Sequence, residues 1–514
     1  MARQLSLLLF LLLCVPILAL PGACGHAQHQ IFSVPSQPVS RAETTSHLSA
    51  FSRRGMWEPI RIKVYYGTLD ITTPMKAKLT DAIKGAVNWF KNSLSVKPIK
   101  KPWKLDTKIC GDVTFQGPIL TDDMNADFVL YVIADSVDNG LAGYATWCSA
   151  DATTNQPLSG VYYFNGLSHT EASMEQIYGT TIHEITHALV FSSDLYAFFL
   201  KPNGAKYQPK ELFIEEVVRG RKMKKFLLPT VLEKARAGFS CATLNGVELE
   251  ADGDSGSVGV HWEKRVMYND FMVADSDMYD ITYTDITMAL FQDSGWYQVN
   301  YKYSNSITWG YKKGCGFIAD KCVVNGKASS ADFCVTEDQN SCDYLGVRKG
   351  YCDVMTHTTA LPAPYQYFSQ PKKGGSDAWL DYCPVVKPFS NGNCRDPGTV
   401  QLVSKLKEAA GHTSRCLVGD YDKSKEWKHA GCYPVNCSGA SAVLTISTVS
   451  VTCPVLGGNV AVTGFKGTIS CPPYTDLCRS LPCVNNCHGF GYCENSACVC
   501  QDGTKKCENG FEGY

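Results

Sequence analysis

The sequence predicts an α/β (α+β) domain, in which a mixed sheet packs on a buried helix, followed by a disulfide-rich C-terminal region with a small tail. Three observations support this prediction. Apolar runs of strand length alternate with segments of helical periodicity before residue 300. Residues 182–189 repeat apolar side chains at the i, i+3, i+7 spacing of a buried helical face. Most of the 24 cysteines lie after residue 300.

Composition limits the class of protein. At 514 residues the chain is too long for one hydrophobic core, so we expect about two or three domains. The content of 45% hydrophobic and 19% charged residues is typical of a globular protein. A formal net charge of −1 gives no general attraction to nucleic acid or to acidic membranes, so neither is expected as a partner.

Residues 1–23 have the pattern of a secretory signal peptide. Arg3 precedes the apolar run 5–20, which Pro16 interrupts, and the small residues Pro21-Gly22-Ala23 follow. The run is short for a membrane span, and an uncleaved anchor is the alternative interpretation. No other stretch approaches a span and the last residues lack the hydrophobic tail of a lipid-anchor signal, so we expect a secreted, extracellular protein.

Residues 24–54 are predicted to be a propeptide. They are polar, rich in Ser, Gln and Arg, and have no periodic apolar face. The segment ends in the basic pair Arg53-Arg54, where a leader could be removed.

The predicted domain at residues 55–300 begins with a strand and a helix. Ile60, Ile62 and Val64 alternate with basic residues, as in a half-buried strand. A helix follows, with Thr73 as its cap and Pro74 in its first turn. The apolar stripe of this helix consists of Leu79, Ile83, Val87 and Phe90.

Two apolar runs, Phe128–Ala134 and Gly160–Phe164, predict further strands before the buried helix. That helix contains His183-Glu184-Ile185-Thr186-His187, in which both imidazoles can reach one metal ion with Glu184 beside them. This is the HExxH pattern of zinc peptidases, in which the ion also needs a third protein ligand and an open position for water. For the motif alone, a chance match with both histidines hydrogen-bonded inside a core helix is the alternative.

Later stretches of the chain extend the pattern. Residues 229–241 and 259–265, together with residues 182–191, resemble the leishmanolysin family, a branch of the metzincin zinc endopeptidases in which a long insertion separates the second and third zinc histidines. Met272 resembles the methionine of the family's Met-turn, and residues 288–297 resemble the end of its catalytic domain. The resemblance covers roughly residues 55–480.

The resemblance implies a metzincin-like catalytic domain with one Zn²⁺ per chain. It makes His183, His187 and His261 the zinc ligands, Glu184 the general base and Met272 a packing residue beneath the metal. Three neutral imidazoles leave the charge of the ion uncompensated, which lowers the pKa of bound water toward about 7. Glu184 can then accept a proton from the attacking water and pass it to the leaving amine.

The sequence departs from the family pattern at Val190. The family has a glycine three residues after the second histidine, where the helix stops, because glycine adopts a positive φ without steric cost. With a β-branched residue at this position, either the helix continues to Ser192-Ser193 or the site is distorted.

Basic residues recur through residues 219–225. A short basic run is weak support for a binding site. We therefore predict a solvated surface loop there.

Residues 301–480 form a predicted cysteine-rich domain, and residues 481–514 a small module. The scattered intervals between Cys315 and Cys478 favour disulfides over a zinc site. From Cys483 the spacing tightens and includes Cys498-Val499-Cys500, which resembles an EGF-like module held by its bridges. Such a tail suggests an extracellular or cell-surface protein as a partner.

The leading hypothesis is a secreted zinc-dependent endopeptidase that acts on protein or peptide substrates. We expect the substrate to lie extended along the sheet edge near Gly160–Phe164, by β-augmentation. The alternative is a catalytically weak or inactive adhesion or binding protein on the same fold, for which Val190 and the EGF-like tail are the support.

Cys24 is the candidate for an inhibitory thiol. Removal of Cys14 with the signal peptide leaves 23 of the 24 cysteines, an odd number, so one thiol lacks a partner. Cys24-Gly25-His26 resembles the Cys-x-His element of the family's inhibitory leader, and a thiolate is a strong zinc ligand, so Cys24 is predicted to be a zymogen switch. The alternative is signal cleavage beyond Cys24, for example after Ala27, which discards the cysteine.

Overall fold

The computed structural model of the chain describes most of the residues after position 55. The described ranges are 56–138, 140–253, 256–275, 281–337, 340–398, 400–420, 429–439, 441–483, 485–501 and residue 507, with the backbone of Val34–Pro35. The predicted signal peptide, Cys24 and the remainder of the predicted propeptide lie outside them.

The first 300 residues contain the strands and helices that surround the HExxH segment. The strands are β1 Val34–Pro35, β2 Glu58–Pro59, β3 Ile62–Leu69, β4 Leu94–Val96, β5 Ile109–Cys110, β6 Val113–Thr114, β7 Phe128–Asp135, β8 Gly143–Ala150, β9 Pro157–Asn165, β10 Phe213–Val218, β11 Arg221–Phe226, β12 Val247–Glu248 and β13 Gln298–Val299. The helices are α1 Thr73–Ser93, α2 Met174–Leu189, α3 Ser193–Tyr196, α4 Pro209–Leu212, α5 Pro229–Phe239, α6 Lys264–Met267 and α7 Asp285–Asp293.

The central sheet has five strands in the order β1-β8-β9-β7-β3. Strands β3, β7 and β9 are mutually parallel, whereas β8 runs antiparallel to β9, so the prediction of a mixed sheet is confirmed. The predicted strands at Phe128–Ala134 and Gly160–Phe164 are also confirmed, as β7 and β9. Strand β9 lies inside the sheet between β8 and β7, so its predicted place at the sheet edge is wrong.

Helix α1 begins one residue earlier than its sequence signals suggest. The side chain of Thr72, and not that of Thr73, accepts the hydrogen bond from the Met75 N–H, and Pro74 lies in the first turn. Leu79, Ile83 and Phe90 of the predicted stripe are buried in the core. Helices α1 and α2 share this core with the sheet, so the helix that contains the HExxH segment is packed on both.

The opposite face of the sheet is covered by the segment at residues 99–126. Its buried side chains, among them Trp103 and Phe115, pack on Tyr131 and Val161 of the sheet. The disulfide Cys110–Cys148 ties this cover to β8. Both faces of the sheet are therefore buried, which is why β8 shows no alternation of apolar and polar residues.

The main hydrophobic core does not end at residue 300. It includes Trp309, Phe317, Tyr365 and Val385 from the predicted cysteine-rich domain, in contact with core residues of the first 300. A separate core lies between residues 406 and 477, around an antiparallel sheet in the order β24-β23-β22-β21-β26-β25. The strands of this sheet are β21 Ser414–Gly419, β22 His429–Ser438, β23 Ser441–Ile446, β24 Val449–Cys453, β25 Gly458–Ala461 and β26 Thr468–Cys471.

Short elements complete the C-terminal region. The strands are β14 Val323–Val324, β15 Lys327–Ala328, β16 Asn340–Cys342, β17 Arg348–Cys352, β18 Met355–Thr356, β19 Lys373–Gly374, β20 Val386–Asn393, β27 Gly491–Glu494 and β28 Ala497–Cys500. The helices are α8 Cys315–Ala319, α9 Tyr474–Leu477 and α10 Asn485–His488. Among the described residues, no helix combines the length and apolarity needed to cross a bilayer.

Eleven disulfides join the 22 described cysteines. The preference for disulfides over zinc between Cys315 and Cys478 is confirmed, because every cysteine in this interval is paired. In the tail the pairs are Cys483–Cys493, Cys487–Cys498 and Cys500–Cys507. A chain with this many disulfides folds in an oxidising compartment.

Candidate metal centre

Helix α2 carries three of the predicted site residues. Its first turn is fixed by a capping box, in which the Ser173 hydroxyl accepts from the Gln176 N–H and the Gln176 side chain accepts from the Ser173 N–H. The helix is buried along most of its length, including His183, Glu184 and His187. Polar groups this deeply buried need partners or a bound ion.

His261 reaches the same place from the long insertion. The residue after it, Trp262, forms bridges with Leu249 on one side and Val273 on the other. The Trp262 N–H donates to the Met272 carbonyl at 3.0 Å, and the Glu250 N–H donates to the His261 carbonyl at 2.9 Å. Backbone pairing on both sides therefore sets the position of this histidine.

The three imidazoles converge through their Nε2 atoms. The separations are 3.0 Å for His183–His187, 3.1 Å for His183–His261 and 3.1 Å for His187–His261. Three nitrogens bound to a tetrahedral zinc at about 2.0–2.1 Å lie roughly 3.3 Å apart. The donor set and its spacing therefore fit a zinc ion.

The other ring nitrogen of each histidine faces a backbone carbonyl. His183 Nδ1 lies 2.6 Å from the Phe271 oxygen, His187 Nδ1 lies 2.7 Å from the Phe191 oxygen, and His261 Nδ1 lies 3.1 Å from the Ser257 oxygen. A carbonyl can only accept, so each Nδ1 must carry the proton. This fixes the neutral tautomer that leaves the Nε2 lone pair for a metal ion.

The end of helix α2 explains one of these contacts. The helix stops at Leu189, and Val190 caps it with φ −155° and ψ −41°. The prediction that the helix continues past Val190 is wrong, and the positive φ for which glycine would be needed does not occur at this residue. Stopping there turns the Phe191 carbonyl back toward His187, so the site is intact rather than distorted.

Glu184 lies against strand β8. A Cβ atom on Gly143 would be 3.7 Å from Glu184 Oε1 and only 2.8 Å from the Tyr163 carbonyl oxygen. The absence of a side chain at Gly143 lets strand β8 approach the buried Glu184 carboxylate closely. The strand was not recognised in the sequence, and a Gly at its start was the only signal that could have indicated a close approach.

Met272 lies in a buried turn that also holds His183. Asp270 anchors this turn by accepting from the Met272 N–H at 2.7 Å and from the hydroxyls of Thr284 and Thr287. Burial raises the pKa of Asp270 to about 7, although these hydrogen bonds act in the opposite direction. The turn thereby presents the Phe271 carbonyl to His183.

The predicted solvated loop at residues 219–225 is wrong. These residues belong to the β10–β11 hairpin, and the side chains of Arg219, Arg221 and Lys225 are buried in ion pairs. Charged partners compensate for the cost of burying basic groups. Lys225 pairs with Glu216 of the same hairpin, whereas Glu248 and Asp381, the partners of Arg219 and Arg221, lie farther along the chain and have no signal in the sequence.

The carboxyl groups beside the His261 segment are strongly perturbed. Burial raises the pKa of Glu250 to about 8. Burial, followed by the charges of Glu250 and Asp381, raises the pKa of Glu263 well above its ordinary range, while Arg221 lowers it. The segment therefore lies in a buried, highly charged environment.

A cavity of about 670 Å³ lies elsewhere, between residues 305–313 and 473–482. Its lining includes Lys313 and Asp476, which form a 3.0 Å ion pair, and Arg479. No residue of the histidine cluster lines this cavity. It is separate from the candidate metal centre.

Comparison with known proteins identifies relatives over most of the chain. A family model described as leishmanolysin matches residues 69–486. Leishmanolysin of Leishmania major is 30% identical over 424 residues, covering 77% of this chain and 67% of that protein. The leishmanolysin homolog of Crithidia fasciculata is 29% identical over 422 residues, covering 77% of this chain and 62% of that protein.

A similar relative occurs in an insect. The leishmanolysin-like peptidase of Drosophila melanogaster is 29% identical over 438 residues, covering 69% of this chain and 64% of that protein. The chain thus spans 62% and 64% of the length of the Crithidia and Drosophila relatives.

Proposed function

The chain belongs to the leishmanolysin family, and from this premise we propose that it is a secreted zinc-dependent endopeptidase. The proposal rests on one observation, namely that hydrogen bonds hold three histidines in the neutral tautomer that can bind a metal ion. Each of His183, His187 and His261 faces a backbone carbonyl with Nδ1, and the three Nε2 atoms meet. A structural histidine needs no such convergence, whereas a metal ion does.

The proposed roles follow from the donor set. His183, His187 and His261 would hold one zinc ion, which supplies Lewis acidity and lowers the pKa of a bound water. Glu184 accepts the proton of the attacking water and passes it to the leaving amine. Met272 and Asp270 shape the turn that holds His183 and take no part in proton transfer.

The proposed substrate path lies along β8 rather than β9. Strand β8 borders Glu184 at Gly143, and its neighbour on the outer side is β1 of the leader segment, paired in parallel with Ser149–Ala150. We propose that an extended peptide takes the place of the leader on this side after processing. Main-chain pairing then supplies affinity that depends little on side chains.

The alternative of an inactive binding protein has lost its support. Val190 has a negative φ, which does not require glycine, and the helix end brings the Phe191 carbonyl to His187. The tail packs on helices α1 and α2, where the Asn88 amide donates to the Gly489 carbonyl at 2.6 Å. Neither Val190 nor the tail therefore indicates a loss of catalytic activity.

Glu184→Ala tests the proposed mechanism. The wild type, processed and purified, is expected to contain about one zinc per chain and to digest casein until a chelator is added. Glu184→Ala is expected to keep the metal and to lose at least about a thousandfold in turnover, because it removes the base and not a ligand. The measurements are metal content by emission spectrometry and casein hydrolysis.

His261→Ala is the matched variant, which should lose both zinc and turnover. Retained peptidase activity in Glu184→Ala would contradict the assigned base. A wild type without bound zinc would contradict the proposed function itself.

A further inference from the structure

Five ionisable side chains form a buried group between the insertion and the C-terminal region. This group, the arginine cluster, consists of Arg219, Arg221, Glu248, Glu263 and Asp381. Its two arginines come from the β10–β11 hairpin, and Asp381 comes from the predicted cysteine-rich domain. The cluster therefore links parts of the chain that are distant in sequence.

Asp381 bridges the two guanidinium groups. Its Oδ1 accepts a hydrogen bond from Arg221 Nη1, and its Oδ2 lies 3.6 Å from Arg219 Nε. The side chains of Arg219 and Asp381 are only 2% and 1% exposed. At this depth the interaction is weakly screened by solvent, and loss of one charge leaves the others poorly compensated.

The arginines also reach the residues that flank His261. Arg219 binds the Glu248 carboxylate at 2.5 and 3.1 Å, and Arg221 Nη1 lies 3.8 Å from Glu263 Oε1. The backbones of the two acidic residues are paired, because the Glu263 N–H donates to the Glu248 carbonyl at 3.1 Å. Asp381 is thus connected, through the two arginines, to strand β12 and to the segment that follows His261.

The backbone at Asp381 is held in an uncommon conformation. Asp381 and Tyr382 have φ values of +56° and +57°, in the left-handed region that non-glycine residues rarely adopt. The Tyr367 hydroxyl donates to the Asp381 carbonyl at 2.8 Å. Such conformations persist where surrounding contacts over-determine them, as the two arginines and Tyr367 do here.

We propose that Asp381 is a positioning residue for His261, so that the C-terminal region completes the metal centre. The inference rests on the proposed function for its metal, but the coupling belongs to the protein alone. Without the Asp381 charge, Arg219 and Arg221 lose the partner that they share, and both side chains shift against Glu248 and Glu263 beside them. The segment at residues 247–263 then opens more often, and His261 holds zinc less firmly.

The test compares Asp381→Asn with Glu408→Gln in the full-length processed protein. Glu408 is a suitable control because its buried carboxylate pairs with Lys349 at 3.0 Å wholly within the C-terminal region. Backbone hydrogen exchange is measured on the metal-free proteins, and zinc release to an excess of chelator is measured on the loaded ones. Thermal unfolding of each variant is recorded alongside.

Asp381→Asn is expected to speed exchange in residues 247–263 and to speed zinc release by about tenfold, as loss of a supporting contact does. Glu408→Gln is expected to leave both within about twofold of the wild type, even if its unfolding temperature falls equally. Unchanged exchange and release in Asp381→Asn, or equal effects of the two variants, would overturn the inference.

Two further outcomes are distinguishable. A wild type that binds no zinc contradicts the proposed function, while exchange in the metal-free proteins still decides the role of Asp381. If Asp381→Asn does not fold, Tyr367→Phe takes its place, because it removes only the hydrogen bond to the Asp381 carbonyl. Faster exchange in residues 247–263 supports the inference, and wild-type exchange there overturns it.

Discussion

At the scale of single residues, backbone carbonyls orient the three imidazoles of the candidate metal centre. Phe271, Phe191 and Ser257 each supply one oxygen to an imidazole, and each lies outside the helices and strands. The identity of their side chains does not determine these contacts, so the sequence offers no signal for them. The imidazoles themselves were predictable, because the i, i+4 spacing on a helix is a local property.

The raised pKa of Asp270 makes the stability of the fold depend on pH. Its pKa is raised to about 7 in the fold, against ~3.9 in an unfolded chain. The protonated form is favoured in the fold, so its contribution to stability is fully present below pH ~3.9 and is lost as the pH rises through about 7.

Asp270→Asn is therefore expected to gain stability relative to the wild type as the pH rises from 4 to 7, by about 3 kcal/mol. The measurement is urea unfolding of both proteins across this range. Asp81→Asn, which removes a half-exposed carboxylate, is the control and should show no comparable trend. A difference between wild type and Asp270→Asn that stays constant with pH would refute the assignment.

Val190 is a packing residue as well as a helix cap. Its side chain is 0% exposed and lies in the main core. Val190→Gly is expected to lower the free energy of unfolding by about 2–4 kcal/mol, from lost apolar burial and from the added freedom of glycine. Zinc content should be retained in the folded fraction, because the Phe191 carbonyl is a backbone group. Thermal unfolding and metal analysis measure the two effects.

Val190→Ala separates the two causes, since it loses burial but keeps a restricted backbone. It should lose less stability than the glycine variant. A glycine variant as stable as the wild type would show that the family's glycine is tolerated here without cost.

At the scale of elements, sequence patterns predicted the helices and strands that have a local apolar signature. They did not predict which strands pair in the sheet. The helix with His183 and the strands β7 and β9 have clear apolar signatures. The order of strands in the sheet has no such signature, so β9 was placed at the edge although β8 lies outside it. Strand β8 itself is buried on both faces and lacks the period-two pattern.

The tail packs on helices α1 and α2 through a close backbone contact at Gly489. This residue has φ +78°, and a Cβ there would lie 2.3 Å from the Gly85 oxygen of α1 and 2.8 Å from the Tyr178 hydroxyl of α2. Gly489→Ala is expected to lower the free energy of unfolding by about 2–4 kcal/mol, from the left-handed φ and from the clash. Calorimetry of the full-length protein measures the change.

Gly439→Ala is the matched control. Its φ is +61° and a Cβ there has no neighbour within 4 Å, so it reports the cost of the backbone conformation alone. The cost should be only about 1–2 kcal/mol. Equal losses in the two variants would mean that the tail does not press against α1 and α2.

At the scale of the whole molecule, charges and disulfides join segments that the sequence separates widely. Arg221 and Asp381 are 160 residues apart, and the main core extends from Ile60 to Val385. Pairings at such distances could not be derived from one sequence, because many acidic residues are equally plausible partners for each arginine. The number of cysteines, in contrast, was informative, since it predicts an unpaired thiol.

The number of paired cysteines determines whether Cys24 can form a disulfide. The eleven disulfides account for every cysteine except Cys14 and Cys24, which lie outside the described residues. If Cys14 leaves with the signal peptide, Cys24 has no partner for a disulfide. The leader strand Val34–Pro35 lies beside β8, on the side proposed for the substrate. We propose that the predicted propeptide could inhibit in two ways, by a Cys24 thiolate on a bound metal ion and by a strand paired with β8.

The two ways predict different results for Cys24→Ala. In a precursor made uncleavable by Arg53→Gln and Arg54→Gln, N-terminal sequencing first establishes whether Cys24 survives signal removal. If it does, Cys24→Ala should raise casein hydrolysis at least about tenfold, because the thiolate no longer holds the open position on the zinc. Ser36→Ala in the same background is the control and should stay silent. A Cys24→Ala precursor as silent as this control would show that strand pairing on β8 inhibits without the thiol, and loss of Cys24 with the signal peptide would exclude the switch altogether.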